Sequence, residues 1–292
     1  MSSAATVELD GRLLKLSNLD KQLFPDGSTK GDLVHYYATI APVMLPHLAG
    51  RPVTRVRFPN GVGTQSFFEK AVPQGAPDWV QRIRVATPGS TRGRTELEYV
   101  LVPDRATLVW LANLAAIELH TPMWRDSTPH RPDLLVVDLD PGPGVDIVGC
   151  CRVAELVAEA LEGVGMTLLP KTSGSKGLQL YGRPPAGLDD EGTTQLARSL
   201  AVGMRDAHPD LIVSEQTKAL RPGKVLLDWS QNNPAKTTVT PYSVRAREAM
   251  TVSTPVTWDE VRGCTDAREL RFTANDVLER AERLGDLYAD LA

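Results

Sequence analysis

Between Leu134 and Trp229 the chain alternates short apolar runs with amphipathic stretches in one fixed order: strand, helix, strand, strand, helix, strand. Residues 134–140 read as a strand, and residues 146–162 as a helix closed by Gly163. Residues 166–170 and 178–181 read as two further strands on either side of a Gly-rich turn. A second helix is expected over 192–207, and a strong last strand over 224–229, with a short one at 211–213 before it. This is the split βαβ pattern, which gives an antiparallel sheet with helices on one face. The other face is left free for a ligand or for the rest of the chain.

The first half reads differently. Residues 7–16 form a hairpin around Asp10-Gly11, a favoured two-residue turn. Ser17 with Asp20 suggests a capping box for a short helix stopped by Pro25. Thr29 with Asp32 opens a longer helix through Tyr36, Tyr37, Ile40 and Met44, which Pro42 and Pro46 are expected to bend or end. Residues 50–103 are rich in strand and loop signals, residues 105–120 read as an apolar helix, and a C-terminal helix is expected from about Asn275 to Leu291. The expected fold is α+β: an RNA-recognition-like split βαβ half (131–265) packed with an N-terminal α/β module (1–130) and a C-terminal helix (273–292), all in one domain.

Composition permits this. With 292 residues, 42% hydrophobic and 23% charged, the chain can bury a sizeable core in one large domain or two fused modules. No signal-peptide pattern and no uninterrupted 18-residue apolar run is present, which predicts neither secretion nor a membrane span. Three cysteines, two of them adjacent (Cys150, Cys151), argue against a disulfide framework or a zinc cage and for a reduced cytoplasm. The net charge of −4 conceals a pattern. Residues 51–94 carry eight Lys/Arg against two acids, and residues 214–247 carry six against two. Two basic segments in an acidic protein suggest an anionic ligand held on one side.

The run Leu134-Leu135-Val136-Val137-Asp138-Leu139-Asp140-Pro141-Gly142 carries the sharpest chemical signal. Side chains alternate along a strand, so Asp138 and Asp140 project from one face. Their repulsion is relieved by a divalent cation, and hard oxygen ligands select Mg²⁺ or Mn²⁺ over zinc. Asp228 stands alone in another apolar strand, which the split βαβ order can bring close. The three carboxylates then resemble a two-metal site for phosphoryl or nucleotidyl transfer. The bland alternative pairs Asp228 with Arg221 or Lys224.

Lys171-Thr172-Ser173-Gly174-Ser175-Lys176-Gly177 joins two strands, and its small residues allow backbone N–H groups to converge on an anion beside Lys176. It lacks the spacing of a Walker A loop. Arg221, Gln231 and Arg245 flank Asp228 in sequence and can donate to phosphate or sugar. His120 ends the expected apolar helix, where Glu118 two residues earlier has the wrong spacing for a helical pair. Lys30, in the first turn of its helix, opposes the helix dipole. An anion held by Lys21, Lys30 and free N–H groups there reverses that penalty. Phe67-Phe68 lies in the first basic segment, where aromatics can stack the bases of a single strand.

Taken together, these motifs resemble the primase-polymerase domain of bacterial DNA ligase D, in the archaeo-eukaryotic primase superfamily. The resemblance runs from Leu16 to about Val261. It rests on Asn18-Leu19-Asp20-Lys21, Thr29-Lys30, Ala49-Gly50-Arg51-Pro52-Val53-Thr54-Arg55, Phe67-Phe68-Glu69-Lys70, Val137-Asp138-Leu139-Asp140-Pro141-Gly142, Thr172-Ser173-Gly174-Ser175-Lys176-Gly177-Leu178 and Asp228-Trp229-Ser230-Gln231-Asn232. Lys236-Thr237-Thr238 and Pro241-Tyr242-Ser243-Val244-Arg245 match as well.

The resemblance implies a polymerase that fills gaps or extends ends in DNA during end joining or excision repair, prefers ribonucleotides, and uses Mn²⁺ or Mg²⁺. It implies gapped or broken DNA with a 5′-phosphate, nucleoside triphosphates and a DNA ligase as partners, in a bacterial cytoplasm near the nucleoid. By the same resemblance, Asp138, Asp140 and Asp228 are the metal ligands and catalytic residues. His120, Ser173, Lys176, Gln179, Arg221, Gln231 and Arg245 hold the nucleotide. Asn18, Lys21 and Lys30 grip the 5′-phosphate, and Phe67 and Phe68 contact the template. The family carries His after Gly-Leu, where this chain has Gln179, which donates a hydrogen bond but cannot become cationic. That departure motivates the alternative of a catalytically weak gap-binding module that recruits a ligase. A metal-dependent phosphodiesterase is a third possibility, since it too uses carboxylates.

Overall fold

The structure, a computed structural model, describes residues 4–86, 95–129, 131–163 and 165–292. Strands β1 (Ala4–Leu9) and β2 (Arg12–Ser17) form the expected hairpin, and both turn residues take positive φ, 51° at Asp10 and 73° at Gly11. The short helix expected after Ser17 is absent. Asn18 enters the left-handed region at φ 55°, and its carbonyl accepts from Lys21 N in a tight turn instead.

Helix α1 (Lys30–Leu48) begins where the Thr29–Asp32 capping box sets it. Pro42 and Pro46 lie inside it without ending it. Leu33, Tyr36, Tyr37, Ile40, Met44 and Leu48 are buried along one stripe, and this packing outweighs the missing N–H groups. There follow β3 (Thr54–Arg57), β4 (Phe67–Glu69), β5 (Arg82–Ala86), β6 (Glu96–Val100), α2 (Arg105–Asn113) and β7 (Ala116–Thr121). The single helix expected over 105–120 is therefore a helix and a strand. The chain turns at Ala115, φ 56°, and continues extended. A short apolar run leaves the period ambiguous, and tertiary pairing with β3 decides it.

The second half contains β8 (Leu135–Pro141), α3 (Ile147–Glu162), β9 (Leu168–Thr172), β10 (Leu178–Gly182), α4 (Asp190–Ala207), β11 (Ile212–Val213) and β12 (Val225–Asp228). They build one five-stranded sheet in the order β11-β12-β8-β10-β9. The three pairings of the split βαβ unit are antiparallel, and β11 is added in parallel at the edge. Leu135, Val137, Leu139, Leu178, Leu180, Val225 and Leu227 share one core with Val153, Ala154 and Val157 of α3. The alternate positions on these strands therefore face away from α3.

The remaining elements are β13 (Thr238–Val239), β14 (Val244–Ala246), β15 (Met250–Val252), α5 (Trp258–Gly263) and α6 (Ala274–Leu284). Strand β13 completes a second sheet, β13-β7-β3-β4. The β14–β15 hairpin enters the first core, where Tyr242, Val244 and Val252 cluster with Leu33, Tyr36 and Tyr37. Helix α6 stops at Leu284, short of the expected Leu291, because Gly285 turns the chain at φ 69°. Asp286 then accepts from His47 Nε2 at 2.8 Å and Tyr242 Oη at 2.7 Å. No helix among the described residues is long and apolar enough to cross a membrane.

Candidate functional site

The register of the five-stranded sheet sets the site. Asp138 on β8 lies opposite Asp228 on β12 and opposite Gln179 on β10, and Gln179 lies opposite Lys171 on β9. One row of polar side chains thus crosses four strands on the face away from α3, with Asp140 two residues further along β8. Asp138 and Asp228 are buried, 7% and 5% exposed. Burial pushes the Asp138 carboxyl up to about 7, helped by the neighbouring charges of Asp140 and Asp228. Asp140 is raised by burial and by Asp228. Asp228 is held by its own turn: Ser230 N and Oγ donate to it at 2.9 and 2.5 Å, and Gln231 Nε2 at 3.1 Å. Neither Arg221 nor Lys224 pairs with it, since Arg221 donates to Gln216 and Lys224 to the Pro209 carbonyl.

Oxygen donors on adjacent strands, with two carboxyls forced upward by burial and mutual repulsion, suit a hard divalent cation. As the side chains stand, no three His, Cys, Asp or Glu groups among the described residues converge on one metal position. Asp228, turned toward Ser230 and Gln231, is the carboxylate already committed elsewhere.

Gln179 sits in this row as a link. Lys171 Nζ donates to its Oε1 at 2.5 Å, and its Nε2 donates to Asp138 Oδ1 at 2.9 Å. This orientation gives Lys171 an acceptor and Asp138 a donor. Lys171 is wholly buried, also donates to Ser253 Oγ at 2.6 Å, and its ammonium is driven well below its usual range, by burial first and then by Arg245.

The loop between β9 and β10 turns tightly at Gly174, φ 68°, where a Cβ would meet the Val252 backbone at 2.6 Å. Its N–H groups do converge, but on a protein atom. Ser175 N and Gly177 N donate to Ser173 Oγ at 3.2 and 3.0 Å, and Ser173 N donates to Gly177 O. The loop is therefore closed as the plain hairpin turn, the alternative to an open anion nest, because the serine hydroxyl fills it. Beside it opens a cavity of about 370 Å³, lined by His120, Asp138, Asp140, Ser173, Lys176, Gln179, Arg221, Gln231 and Arg245. Of the residues expected to hold metal or nucleotide, only Asp228 is not on its wall. A larger open cleft of about 550 Å³ around Gly144, Asp146 and Arg152 contains none of them.

Two residues escape the sequence reading, Arg247 in the cavity wall and Glu118 behind the wall residues His120 and Arg245. Arg247 lines the wall and donates to Ser175 Oγ at 2.9 Å. Glu118 was set aside on helical spacing, but in a strand two residues apart means the same face. His120 Nε2 lies 2.9 Å from Glu118 Oε2, and Arg245 Nε lies 3.1 Å from Oε1. Burial opposes the ionised form of Glu118, yet His120 and Arg245 outweigh it and hold the carboxyl down to about 2. The His120 ring is lowered, by burial ahead of all other influences, and is therefore neutral.

The other expected residues lie apart from this cavity. Lys21 Nζ donates to Asn60 at 3.2 Å, Lys30 Nζ lies 3.5 Å from Ser17 Oγ, and Lys30 N donates to Lys21 O. Lys30 is lowered by burial and by the charge of Lys21. Asn18 begins the same turn. The N–H groups expected to be free for an anion are taken: Lys30 N and Gly31 N bind the Lys21 and Leu19 carbonyls, and Asp32 N binds Thr29 Oγ1. The cationic groups for a phosphate here are the Lys21 and Lys30 ammonium groups. Phe67 and Phe68 are both exposed, 40% and 60%, on the edge strand β4 of the sheet that also carries His120, on its inner strand β7. Neither is the core residue that one of such a pair usually is.

A split βαβ sheet with acids on its free face, packed with a second sheet that shares the cavity, is the α+β architecture of the archaeo-eukaryotic primases. The chain belongs to the family described as "LigD, primase-polymerase domain", which it matches over residues 29–288. It is 43% identical over 281 residues to the multifunctional non-homologous end joining protein LigD of Mycolicibacterium smegmatis, covering 95% of this chain and 36% of that protein. It is 34% identical over 279 residues to the bifunctional LigD of Bacillus subtilis, covering 95% and 44%. The chain thus spans well under half the length of these relatives. Its fold superposes with a TM-score of 0.88 on the polymerase domain from Mycobacterium tuberculosis ligase D in complex with DNA, at 42% identity, covering 95% of this chain and 97% of that one.

Proposed function

We propose that the chain is a template-directed nucleotidyltransferase that fills short gaps or extends ends in DNA repair, with non-homologous end joining as its setting. The carrying observation is the register that sets Asp228 across from Asp138, with Asp140 on the same face, at the edge of a basic cavity. Asp138, Asp140 and Asp228 would hold Mn²⁺ or Mg²⁺, which when bound stabilises charge on the transferring phosphoryl group and lowers the pKa of the attacking hydroxyl. Lys176, Arg221 and Arg245 supply cationic donors to a triphosphate, and Gln231 and His120 supply neutral groups beside them.

Ser173 supports a preference for ribonucleotides. Its oxygen already accepts two backbone N–H groups, so its proton is what it can still offer, and a 2′-hydroxyl can accept it. Lys21 and Lys30 are the groups for a 5′-phosphate, and Phe67 and Phe68 for template bases. The test is extension of a primer across a short gap under Mn²⁺, with ribo- and deoxynucleotides in competition. Extension with ribonucleotides favoured is expected. Tight binding of 5′-phosphorylated gaps with no extension would instead support the gap-binding alternative.

A further inference from the structure

We propose that Glu118 is a positioning residue of the nucleotide cavity, fixing His120 and Arg245 in place before a nucleotide arrives. This deepens the nucleotidyltransferase reading and rests on it. A cavity meant for a polyanion has no evident use for a buried carboxylate, yet Glu118 is 6% exposed and stays ionised. Both of its oxygens are committed. Oε2 accepts from His120 Nε2 at 2.9 Å, and Oε1 accepts from Ala246 N at 2.9 Å and lies 3.1 Å from Arg245 Nε, an ion pair without hydrogen-bond geometry. An ionised carboxylate only accepts, so the neutral His120 ring carries its proton on Nε2, and Nδ1 is left as an acceptor. Arg245 donates from Nη1 to Ser173 O at 2.7 Å. Nη1 is thereby tied while the Nε side faces the Glu118 charge, and Nη2 remains for an incoming anion. One side chain on β7 thus sets the tautomer of one cavity residue and the aim of another, on β14. Through Arg245 it also reaches the Ser173 loop.

The competing explanation is a structural strap that merely ties β14 to β7. The two differ in a double-mutant cycle. The measurement is the affinity of a ribonucleoside triphosphate with an α,β-methylene bridge, with Mn²⁺ present, at a temperature where circular dichroism shows every variant folded. Glu118→Gln keeps the shape but loses the charge that faces Arg245 and replaces one acceptor oxygen by an NH₂ donor. It should bind the analogue about 10-fold or more weakly than wild type. In a background carrying both His120→Ala and Arg245→Ala, the same substitution should change nothing further. Equal loss in both backgrounds, or no loss in either, overturns the proposal. If Glu118→Gln does not fold, Glu118→Asp, which keeps the charge and shortens the reach, carries the same comparison. A wild-type protein that binds no analogue overturns the nucleotidyltransferase reading itself, and this inference with it.

Discussion

Asp138 and Asp228 face each other directly across adjoining antiparallel strands, both buried. Like charges so placed destabilise the sheet. Asp138→Asn keeps an acceptor for Gln179 Nε2 and removes one charge. Metal-free protein should then gain on the order of 1–2 kcal/mol of stability, read as a raised unfolding midpoint, while primer extension is lost. Asp140→Ala should also lose extension and keep its affinity for gapped DNA. Normal polymerisation by either variant would remove these acids from the chemistry.

The paired lysines make a second case. Wild type should bind gaps ending in a 5′-phosphate more tightly than gaps ending in a 5′-hydroxyl. Lys21→Ala with Lys30→Ala should erase that difference and flatten the salt dependence of binding by roughly one to two in log–log slope. Because the helix N–H groups are already bonded, no residual preference is expected in the double variant. Equal binding of both ends by wild type means that the lysines hold no phosphate.

For the exposed aromatics, Phe67→Ala and Phe68→Ala should each weaken binding to a single-stranded template by about 1–3 kcal/mol if a base stacks there. Neither ring is in the core, so thermal unfolding should move little. A large fall in melting temperature with unchanged template affinity would mark them as packing residues.

Glu118 gives a dependence on pH. Its carboxyl is held at about 2 against an ordinary 4.5, so the folded state gains stability from it above the ordinary value and loses it as pH falls toward 2. Glu118→Gln should therefore be less stable than wild type at pH 6, by on the order of 3 kcal/mol. The gap should narrow between pH 4.5 and pH 3. Urea titrations of both proteins at those values measure it, and a gap independent of pH would mean that the carboxylate charge is not what stabilises the site.

Much of this was legible in the sequence. The alternation around Asp138 and the order of elements from 134 to 229 led to the observed sheet, because strands buried on one face must keep their period. The Thr29–Asp32 box placed the start of α1. What escaped was decided by partners distant in the chain. The run 116–121 is apolar enough for a helix, and only pairing with β3 and β13 makes it a strand. That misreading hid Glu118, although the alternation Ile117-Glu118-Leu119-His120 was the signal that could have revealed it. The backbone groups of the Ser173 loop and of the α1 N-terminus seemed available because sequence shows which N–H groups exist, not which oxygens have folded back onto them.

The β14–β15 hairpin has a consequence for how the protein is made. Tyr36 Oη donates to the Tyr242 carbonyl, and Tyr37 Oη accepts from Val244 N, so the first core is closed by residues synthesised some two hundred positions later. On a ribosome, the five-stranded sheet can be assembled as soon as β12 emerges, while the earlier half waits with Tyr36, Tyr37 and Ile40 uncovered. A chain released before Tyr242 would keep every carboxylate of the candidate site and lack Arg245 and Arg247, two of the cations in the cavity wall.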